Sequence, residues 1–260
     1  MIKKIKIFSN ENEKCQKIKT QLENLFLKNN FSMEEDFDLG IAIGGDGSFL
    51  RMLHQVNFKD AFYIGIHAGT FGFSQEIDPE KLDLFVEKLK QNVFQIEEIG
   101  LLKTTVTTKT EKISFLSLNE AIFQKENLGV CKYELYIDEN LLETYAGDGL
   151  MVATSFGSTA YNLGFHGSIV PRNFSVIQIT PMAPLYSPMY PSLKQSLVLP
   201  EQTKVRIKPV ANFENFLITQ DGKRKVFCDV QTIDLETEDR KIKLLSMDSY
   251  INTLRSKFLL

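Results

Sequence analysis

A hydrophobic strand that runs directly into three glycines and then into a helix is the feature that most constrains how this chain can fold. Residues 39–53 read LGIAIGGDGSFLRML, with the glycines and one aspartate at positions 44–47. The apolar run over Leu39–Ile43 predicts a strand, and the apolar spacing after Gly47 predicts the start of a helix. Such a loop lies at the carboxyl edge of a sheet, where ligands bind in open α/β folds. The segment therefore predicts an α/β domain with a binding loop at residues 44–47.

The first 98 residues continue this alternation of strands and helices. Strands are predicted near the N-terminus and over Phe62–Ile66. A helix capped by Asn10 or Asn12 follows the first strand, and another helix is predicted over Pro79–Leu89. Because strands separated by helices imply parallel βαβ units, residues 1–98 are predicted to form an α/β domain with a parallel sheet.

The pattern changes near residue 99, where short strands with few helical stretches replace the alternation. Turn residues such as Asp221-Gly222 separate these strands. The predicted strands are Leu102–Thr108, Ile113–Leu118, Cys131–Ile137, Gly149–Ala153, Ser175–Thr180, Leu197–Leu199, Lys204–Val210, Phe216–Ile218 and Val226–Leu235. Residues 99–245 are thus predicted to form a mostly β domain. A C-terminal tail of about residues 246–260, with a helix over Asp248–Phe258, is predicted to pack back on the first domain.

The glycines and the aspartate of the loop have different chemical uses. Gly44, Gly45 and Gly47 let backbone N–H groups approach a phosphate, and the following helix N-terminus adds partial positive charge. The loop lacks the Gly-Lys-Ser/Thr of a Walker loop and does not match G-x-G-x-x-G. Asp46 would repel phosphate unless it takes a proton from a hydroxyl or helps to hold Mg²⁺. The alternative from spacing alone is a tight turn in which Asp46 caps the helix.

A second cluster, over residues 147–173, reads GDGLMVATSFGSTAYNLGFHGSIVPRN and is dense in Gly, Ser and Thr. Small residues leave space for a flat ligand, and Tyr161 can stack on a base, which favours a binding loop over a serine-rich structural turn. Asn119 and Glu120 can bind ribose hydroxyls or an amide, although an ordinary turn explains two residues equally well. Ser158 lacks a His–Asp partner set and the flanking pattern of a nucleophile elbow, so a serine hydrolase is not indicated.

Charge and composition exclude several classes of partner and location. The chain of 260 residues has a formal net charge of −3, which offers no general attraction for nucleic acid or anionic lipid. Three scattered cysteines and three scattered histidines predict neither a disulfide framework nor a metal site, so no side chain is assigned to a metal. The start, MIKKIKIFSN, lacks the apolar region of a signal peptide, and no stretch approaches the ~18 apolar residues of a membrane span. We therefore expect a soluble, cytoplasmic protein.

The order of the motifs resembles that of the NAD kinase family. The matching segments are GGDGSFL at 44–50, GTFGF at 69–73, NE at 119–120, GDGLMVATSFGSTAY at 147–161 and TPMAP at 180–184. GGDG alone is shared with diacylglycerol, sphingosine and phosphofructo-kinases, whereas its combination with NE and GSTAY is typical of NAD kinases. The resemblance implies the two-domain NAD kinase/diacylglycerol kinase-like fold, with NAD bound between an α/β domain and a mostly β, dinucleotide-binding domain. It also implies a homodimer or homotetramer.

The resemblance further implies a reaction and a role for individual residues. The family transfers a phosphoryl group to the 2′-hydroxyl of the adenosine ribose of NAD, giving NADP, with ATP or inorganic polyphosphate as donor and Mg²⁺ or another divalent metal bound with ATP. Asp46 matches the catalytic aspartate that activates this hydroxyl, and Gly44, Gly45 and Gly47 match the loop for the donor phosphates. Positions that match contacts with NAD are Asp46, Gly47, Asn119, Glu120, Asp148, Thr159, Ala160, Tyr161, Asn162, Gly164 and Ala183, the last of which a neighbouring subunit can supply. The predicted set is extended by Arg51, Ala146, Phe156 and Gln220, which lie in or beside the motifs.

Two other functions remain open from the sequence. A lipid kinase of the diacylglycerol type shares the GGDG loop and the two-domain plan, but it gives no reason for the NE and GSTAY segments. A non-catalytic nucleotide-binding regulator keeps the pocket without the chemistry, and the intact GGDG counts against it. The chain departs from the family pattern at Phe71, where Leu is usual, and at His166-Gly167, where Gly-Gly is common.

Overall fold

The chain forms two compact units in a computed structural model that describes residues 2–69, 72–127, 129–187, 190–210, 215–247 and 250–259. Unit 1 comprises Met1–Ile99 and Lys241–Leu260, and unit 2 comprises Gly100–Arg240. Unit 1 is α/β and unit 2 is mostly β, so the predicted fold class is confirmed. The assignment of dinucleotide binding to residues 99–245 stays a prediction.

The secondary structure alternates in unit 1 and is almost entirely strand in unit 2. The helices are α1 (Glu13–Lys28), α2 (Asp46–Gln55), α3 (Leu82–Gln91), α4 (Tyr161–Gly164) and α5 (Tyr250–Phe258), with 3₁₀ turns at Pro79–Lys81 and Phe156–Thr159. The strands are β1 (Lys4–Ser9), β2 (Ser32–Met33), β3 (Leu39–Gly44), β4 (Phe62–His67), β5 (Gln95–Thr108), β6 (Lys112–Ser117), β7 (Glu120–Lys125), β8 (Cys131–Ile137), β9 (Asn140–Gly147), β10 (Gly149–Thr154), β11 (Val176–Met182), β12 (Tyr186–Ser187), β13 (Tyr190–Pro191), β14 (Leu197–Pro200), β15 (Val205–Pro209), β16 (Phe216–Gln220), β17 (Lys223–Phe227) and β18 (Val230–Ser246). None of the helices in the described ranges is both long and apolar enough to cross a membrane.

Unit 1 is built on a parallel sheet in the order β2-β1-β3-β4, and the C-terminal end of β18 pairs with β4. Every residue of β3 is buried, and Ile41 pairs with Ile7 on one side and Ile64 on the other. Because β3 and β4 are parallel, their carboxyl ends meet at one edge, where Gly44 lies opposite His67. This register brings the GGDG loop beside the segment that follows β4.

Helix α1 covers this sheet with one apolar face. Asn12 caps the helix, because its side chain accepts a hydrogen bond from the Cys15 N–H at 2.8 Å. Of the two caps predicted from the sequence, Asn12 and not Asn10 is the one that the structure shows. Leu22 and Phe26 are fully buried in the core of unit 1. The helix therefore belongs to the core through residues spaced four apart.

Leu22 and Leu27 on α1 give a matched test of this packing. Leu22 is fully buried, whereas Leu27 is 60% exposed. We expect Leu22→Ala to lower the free energy of unfolding by about 2–5 kcal/mol, because it leaves a cavity. Leu27→Ala, the same change on the same helix, is expected to alter it by less than about 0.5 kcal/mol. Urea unfolding followed by circular dichroism measures both, and equal losses would contradict this packing.

Unit 2 packs two layers of antiparallel strands. One layer has the order β14-β11-β10-β7-β16-β17; the other has β18-β15-β8-β9, with β5 paired to both β18 and β6. Tyr133 of β8 joins the layers, because its ring lies 5.5 Å from that of Phe216 and its hydroxyl donates to the Phe123 carbonyl at 3.3 Å. The core of unit 2 therefore lies between the two layers, and it positions the ends of β7 and β10.

The structure differs from the predicted strands and helices at several positions. The predicted strand Val226–Leu235 is two strands, β17 and β18, because Asp229 between them has a φ of 51°, which a regular strand does not allow. Strands β7 and β9 were not predicted, since the turn and polar residues in both segments interrupt the strand pattern. Helix α5 begins at Tyr250, and Asp248 lies outside the described residues.

Candidate active site

The GGDG loop forms the tight connection between β3 and α2 in unit 1. Gly44 has a φ of 148°, and a Cβ there would lie 2.8 Å from the Ser48 Cβ, so glycine is required at this position. Gly45 is the N-cap of α2, and no side chain caps the helix. Asp46 therefore does not cap the helix, so the alternative role that the sequence spacing allowed is wrong. Its negative charge nevertheless lies in the first turn of α2, where the helix dipole favours it.

Both carboxylate oxygens of Asp46 accept hydrogen bonds from the segment that follows β4. The Phe73 N–H donates to Oδ2 at 2.9 Å, and the Ser74 N–H donates to Oδ1 at 2.7 Å. The Gln75 amide donates to the Gly45 carbonyl at 2.9 Å, which holds the same segment against the loop. These bonds fix the orientation of the Asp46 carboxylate before any ligand binds. Phe73 ends the GTFGF segment, but no sequence pattern indicated that its N–H group and that of Ser74 would bind Asp46.

Gly72 leaves room for the Asp46 carboxylate. A Cβ at Gly72 would lie 3.0 Å from Asp46 Oδ1 and 2.9 Å from Gln75 Cγ. The next residue, Phe73, packs its ring against Phe258 of α5, with 4.9 Å between the centroids. Thr70 and Phe71, which belong to the GTFGF motif, lie outside the described residues.

A polar cavity of about 460 Å³ adjoins the GGDG loop within unit 1. Arg51 donates to the Asn10 side-chain oxygen at 2.8 Å, and the Asn10 amide donates to the Ser48 hydroxyl at 2.9 Å. Lys6 and Lys19 also line the cavity. Predicted residue Arg51 is thus joined to Asn10 and Ser48, which were not predicted as site residues. Their positions could have indicated a role in the site, because Asn10 follows β1 and Ser48 follows GGDG, and both places lie at the carboxyl edge of the sheet.

In unit 2, Asn119 and Glu120 present buried acceptors that have no hydrogen-bond partner among the described residues. Glu120 is 5% exposed, and its Oε2 and the Asn119 Oδ1 are both buried without a donor. Burial, and secondarily the negative charge of Asp221, raises the pKa of Glu120 to about 8. A buried polar group without a partner is costly, so this pair is suited to a ligand with hydroxyl or amino groups.

The predicted binding loop 156–164 lies directly against Asn119. Gly157 touches it so closely that a Cβ there would lie 2.5 Å from the Asn119 carbonyl carbon. Thr159 and Ala160 are half-buried, whereas Tyr161 and Gly164 are exposed. Phe156 and Asn162 are buried. The structure thus brings the NE and GSTAY segments together and divides the loop into exposed and buried positions.

Asn162 is wholly buried under this loop. Its Oδ1 accepts from the Thr180 hydroxyl at 2.6 Å, and its Nδ2 is buried with no hydrogen-bond partner in the part of the chain that the structure describes. Gly167 packs on the same amide, since a Cβ there would lie 2.5 Å from Asn162 Oδ1. Asn162 therefore connects the loop to the TPMAP segment.

Three further predicted positions lie around the second GDG segment. Asp148 is exposed, and its N–H donates to the Met182 carbonyl at 2.9 Å, next to Ala183, which is exposed and has a φ of 45°. Ala146 is fully buried and its carbonyl accepts from the Leu185 N–H at 2.7 Å. Asp148 and Ala183 are thus adjacent, while Ala146 supports them from within the core.

The Gln220 side chain is directed toward the neighbouring strand. Its amide donates to the Leu116 carbonyl at 2.8 Å and to the Ser117 hydroxyl at 3.2 Å. These bonds hold the end of β16 beside the segment that leads into Asn119. Gln220 thus acts, within unit 2, as a support for this turn.

Both parts of the chain match models of one protein family. The model described as ATP-NAD kinase N-terminal domain matches residues 4–93, and that described as ATP-NAD kinase C-terminal domain matches residues 118–245. An NAD kinase of Finegoldia magna is 34% identical to this chain over 98% of the chain and 97% of the relative. The chain belongs to the NAD kinase family. An NAD kinase of Bacteroides fragilis is 31% identical over 94% of the chain and 82% of the relative.

Solved structures of NAD kinases and an NADH kinase have the same fold. Yeast NADH kinase complexed with NADH superposes with a TM-score of 0.83 at 20% identity, covering 98% of this chain and 86% of that one. An NAD kinase from Archaeoglobus fulgidus in complex with ATP superposes with a TM-score of 0.79 at 19% identity, covering 98% and 99%. The resemblance to the NAD kinase family predicted from the motifs is confirmed. The chain is an enzyme of this family, so the lipid-kinase and regulator alternatives are not retained.

Proposed function

We propose that this enzyme phosphorylates the 2′-hydroxyl of the adenosine ribose of NAD to give NADP, with ATP as donor and Asp46 as the catalytic carboxylate. In this reaction the 2′-oxygen forms a bond to the terminal phosphorus of ATP while the bond from that phosphorus to ADP breaks. Asp46 takes the proton that the hydroxyl loses. The protein mainly positions the reactants and stabilises charge, as is general for phosphoryl transfer.

The geometry of Asp46 is the observation that carries this proposal. Two backbone N–H groups, from Phe73 and Ser74, hold its carboxylate at the N-terminus of α2. Each carboxylate oxygen can accept more than one hydrogen bond, so a substrate hydroxyl can still bind to it. A base held in one orientation loses little freedom when the substrate binds, which supports a role in proton transfer rather than in folding alone.

The donor phosphates are assigned to the GGDG loop. Gly44, Gly45 and Gly47 leave the loop without side chains there, and Arg51 supplies positive charge in the adjoining cavity. Within the described ranges, no three His, Cys, Asp or Glu side chains are grouped so as to hold a metal ion. The family resemblance implies a divalent metal bound with ATP, and Mg²⁺ there would neutralise charge on the phosphates.

The NAD contacts are assigned to the predicted positions of unit 2. Asn119, Glu120 and Asn162 have buried polar atoms that lack partners within the described ranges, which supports binding of hydroxyl and amide groups of the dinucleotide. Asp148, Thr159, Ala160, Tyr161, Gly164 and Ala183 remain assigned to NAD, with Ala146, Phe156 and Gln220 as their supports. The proposal also includes self-association through the exposed loop at Ala183, which the family resemblance implies, and a cytoplasmic location, which the sequence predicts.

Analogues of NAD that lack one hydroxyl test the position of phosphorylation. Purified protein is incubated with ATP, Mg²⁺ and either NAD, 2′-deoxy-NAD or 3′-deoxy-NAD, each modified on the adenosine ribose. We expect product from NAD and 3′-deoxy-NAD and none from 2′-deoxy-NAD, because the last lacks the accepting oxygen. Phosphorus NMR of the NAD product identifies a 2′-phosphate. Phosphorylation of 2′-deoxy-NAD would contradict the proposed position, and replacing ATP by polyphosphate tests the donor.

A further inference from the structure

Asp221 occupies the tight turn between β16 and β17 in unit 2. Gln220, the last residue of β16, pairs with Lys223, the first residue of β17. Asp221 and Gly222 therefore form a two-residue hairpin loop. Their φ values are 43° and 79°, as a type I′ turn requires at both central positions. The turn geometry explains why Asp or Asn precedes Gly here. It does not require the hydrogen bonds that the Asp221 side chain makes.

The Asp221 carboxylate accepts N–H groups from three consecutive residues about one hundred positions earlier in the chain. The Leu118 N–H donates to Oδ2 at 2.8 Å, the Asn119 N–H donates to Oδ1 at 2.8 Å, and the Glu120 N–H lies 3.4 Å from Oδ1. In return, the Asp221 N–H donates to the Glu120 carbonyl at 3.2 Å. Asp221 is itself buried, with 9% exposure, so these charge-assisted bonds are shielded from water.

This arrangement determines where the two unpartnered acceptors of the NE pair lie. Asn119 Oδ1 and Glu120 Oε2 belong to the residues whose backbone Asp221 holds. The neighbouring residues Ala121 and Ala153, the latter opposite Glu120 on β10, are uncharged, so Asp221 is the charge that acts on the Glu120 carboxyl. A carboxylate at position 221 therefore affects both the position and the charge of the pair.

We propose that Asp221 is a positioning residue for dinucleotide binding, which clamps the Asn119–Glu120 backbone and sets the charge of the Glu120 carboxyl. This proposal rests on the proposed function, since it concerns NAD binding by the same pair. The Asp221 carboxylate binds the backbone of residues 118–120, and we assign it no contact with the reacting atoms. It acts through Asn119 and Glu120.

The substitution Asp221→Asn separates the clamp from the turn. Asn before Gly is as favourable as Asp in a type I′ turn, so the hairpin is kept. The amide offers one acceptor oxygen instead of two, and its NH₂ group faces an N–H donor, so part of the clamp is lost. We expect the KM for NAD to rise on the order of tenfold or more, because hydrogen bonds to a charged group are lost, while kcat changes little.

The pH dependence of KM gives the readout that a purely structural role would not change. Glu120, with its pKa raised to about 8, is protonated at neutral pH and loses its proton as the pH rises through that value. In the wild type, the KM for NAD should therefore change near pH 8. In Asp221→Asn burial still raises the pKa of Glu120, but the negative charge of Asp221 no longer adds to it, so this change should move toward lower pH. A KM equal to that of the wild type, or a change centred at the same pH as in the wild type, would overturn the proposal.

Two control variants complete the experiment. Asp229→Asn removes one negative charge from the same unit at a residue that is exposed and paired with Lys109, so its KM and pH profile should match the wild type. Glu120→Gln removes the titrating group, so the change near pH 8 should disappear; its persistence would overturn the role of Glu120 charge even if Asp221→Asn failed to fold. Absence of NADP formation by the wild type would instead contradict the proposed function itself.

Discussion

Asp46→Asn is expected to lower NADP formation by roughly 10²–10⁴-fold, the usual loss when a positioned general base is removed. Asn has nearly the shape of Asp, so NAD should still bind, but the amide cannot take the proton of the 2′-hydroxyl. One complication is local: Asp46 accepts from both Phe73 and Ser74, and the Asn NH₂ group would face one of these donors. Turnover is measured under saturating NAD and ATP, and NAD binding is measured separately by calorimetry.

Asp38→Asn is the matched control for this substitution. Asp38 also accepts two backbone N–H groups in unit 1, from Lys3 at 2.9 Å and from Lys4 at 3.0 Å, and these bonds lower its pKa. It therefore repeats the exchange of a backbone-bound carboxylate for an amide away from the GGDG loop. We expect Asp38→Asn to affect stability and not turnover. Near-normal turnover in Asp46→Asn would refute the base role, and loss of NAD binding together with turnover would assign Asp46 to binding alone.

Gly157→Ala is expected to produce the second large effect, a loss of both stability and NAD binding. The added Cβ would lie 2.5 Å from the Asn119 carbonyl carbon and 2.7 Å from its Cα, and closer still to the carbonyl oxygen. Backbone atoms cannot rotate away as a flexible side chain can, so Asn119 or the 3₁₀ turn must move. Overpacking of this kind typically costs about 1–3 kcal/mol of stability, and a displacement of about 1 Å can cost on the order of 10²-fold in activity.

Gly100→Ala is the control, because it makes the same change in unit 2 with space available. A Cβ at Gly100 would lie 3.3 Å from the flexible end of Glu201 and 3.6 Å from Thr237 Cγ2. We expect thermal unfolding to move to clearly lower temperature for Gly157→Ala and little for Gly100→Ala, and the KM for NAD to rise only in the former. A Gly157→Ala protein with normal KM would show that this contact does not position Asn119.

The contacts of Thr154 show why Gly157 and Asn119 should respond together. The Thr154 hydroxyl donates to the Leu118 carbonyl at 2.5 Å and accepts from the Gly157 N–H at 3.1 Å, while the Thr154 N–H donates to the Asn119 carbonyl at 2.9 Å. A shift of the 3₁₀ turn would therefore reach Asn119 through Thr154 of β10. Strand β10 lies on one side of β7, and β16, which leads into Asp221, lies on the other.

Much of the fold could be predicted because it follows from local patterns. The apolar runs of β3 and β4 and the amphipathic spacing of α1 indicate their structures directly, since a strand or helix that must bury one face repeats its apolar residues at a fixed period. The sequence pattern did not predict that β17 and β18 are separate strands. The two strands belong to different layers of unit 2, and the positive φ of Asp229 lies at the connection between them. Strand β7 was missed because the polar residues at its two ends hide its apolar centre.

Sequence patterns alone predicted the chemical components of the candidate site: the carboxylate of Asp46, the glycines around it, the NE pair and the small-residue loop. They also indicated the Asp221-Gly222 turn, because turn residues act through their own backbone. The folded structure was needed to show that Phe73 and Ser74 donate to Asp46, and that the Asp221 side chain holds Asn119 and Glu120. These contacts join residues up to about a hundred positions apart, and a hydrogen bond depends on distance and direction in space, which local sequence patterns do not encode.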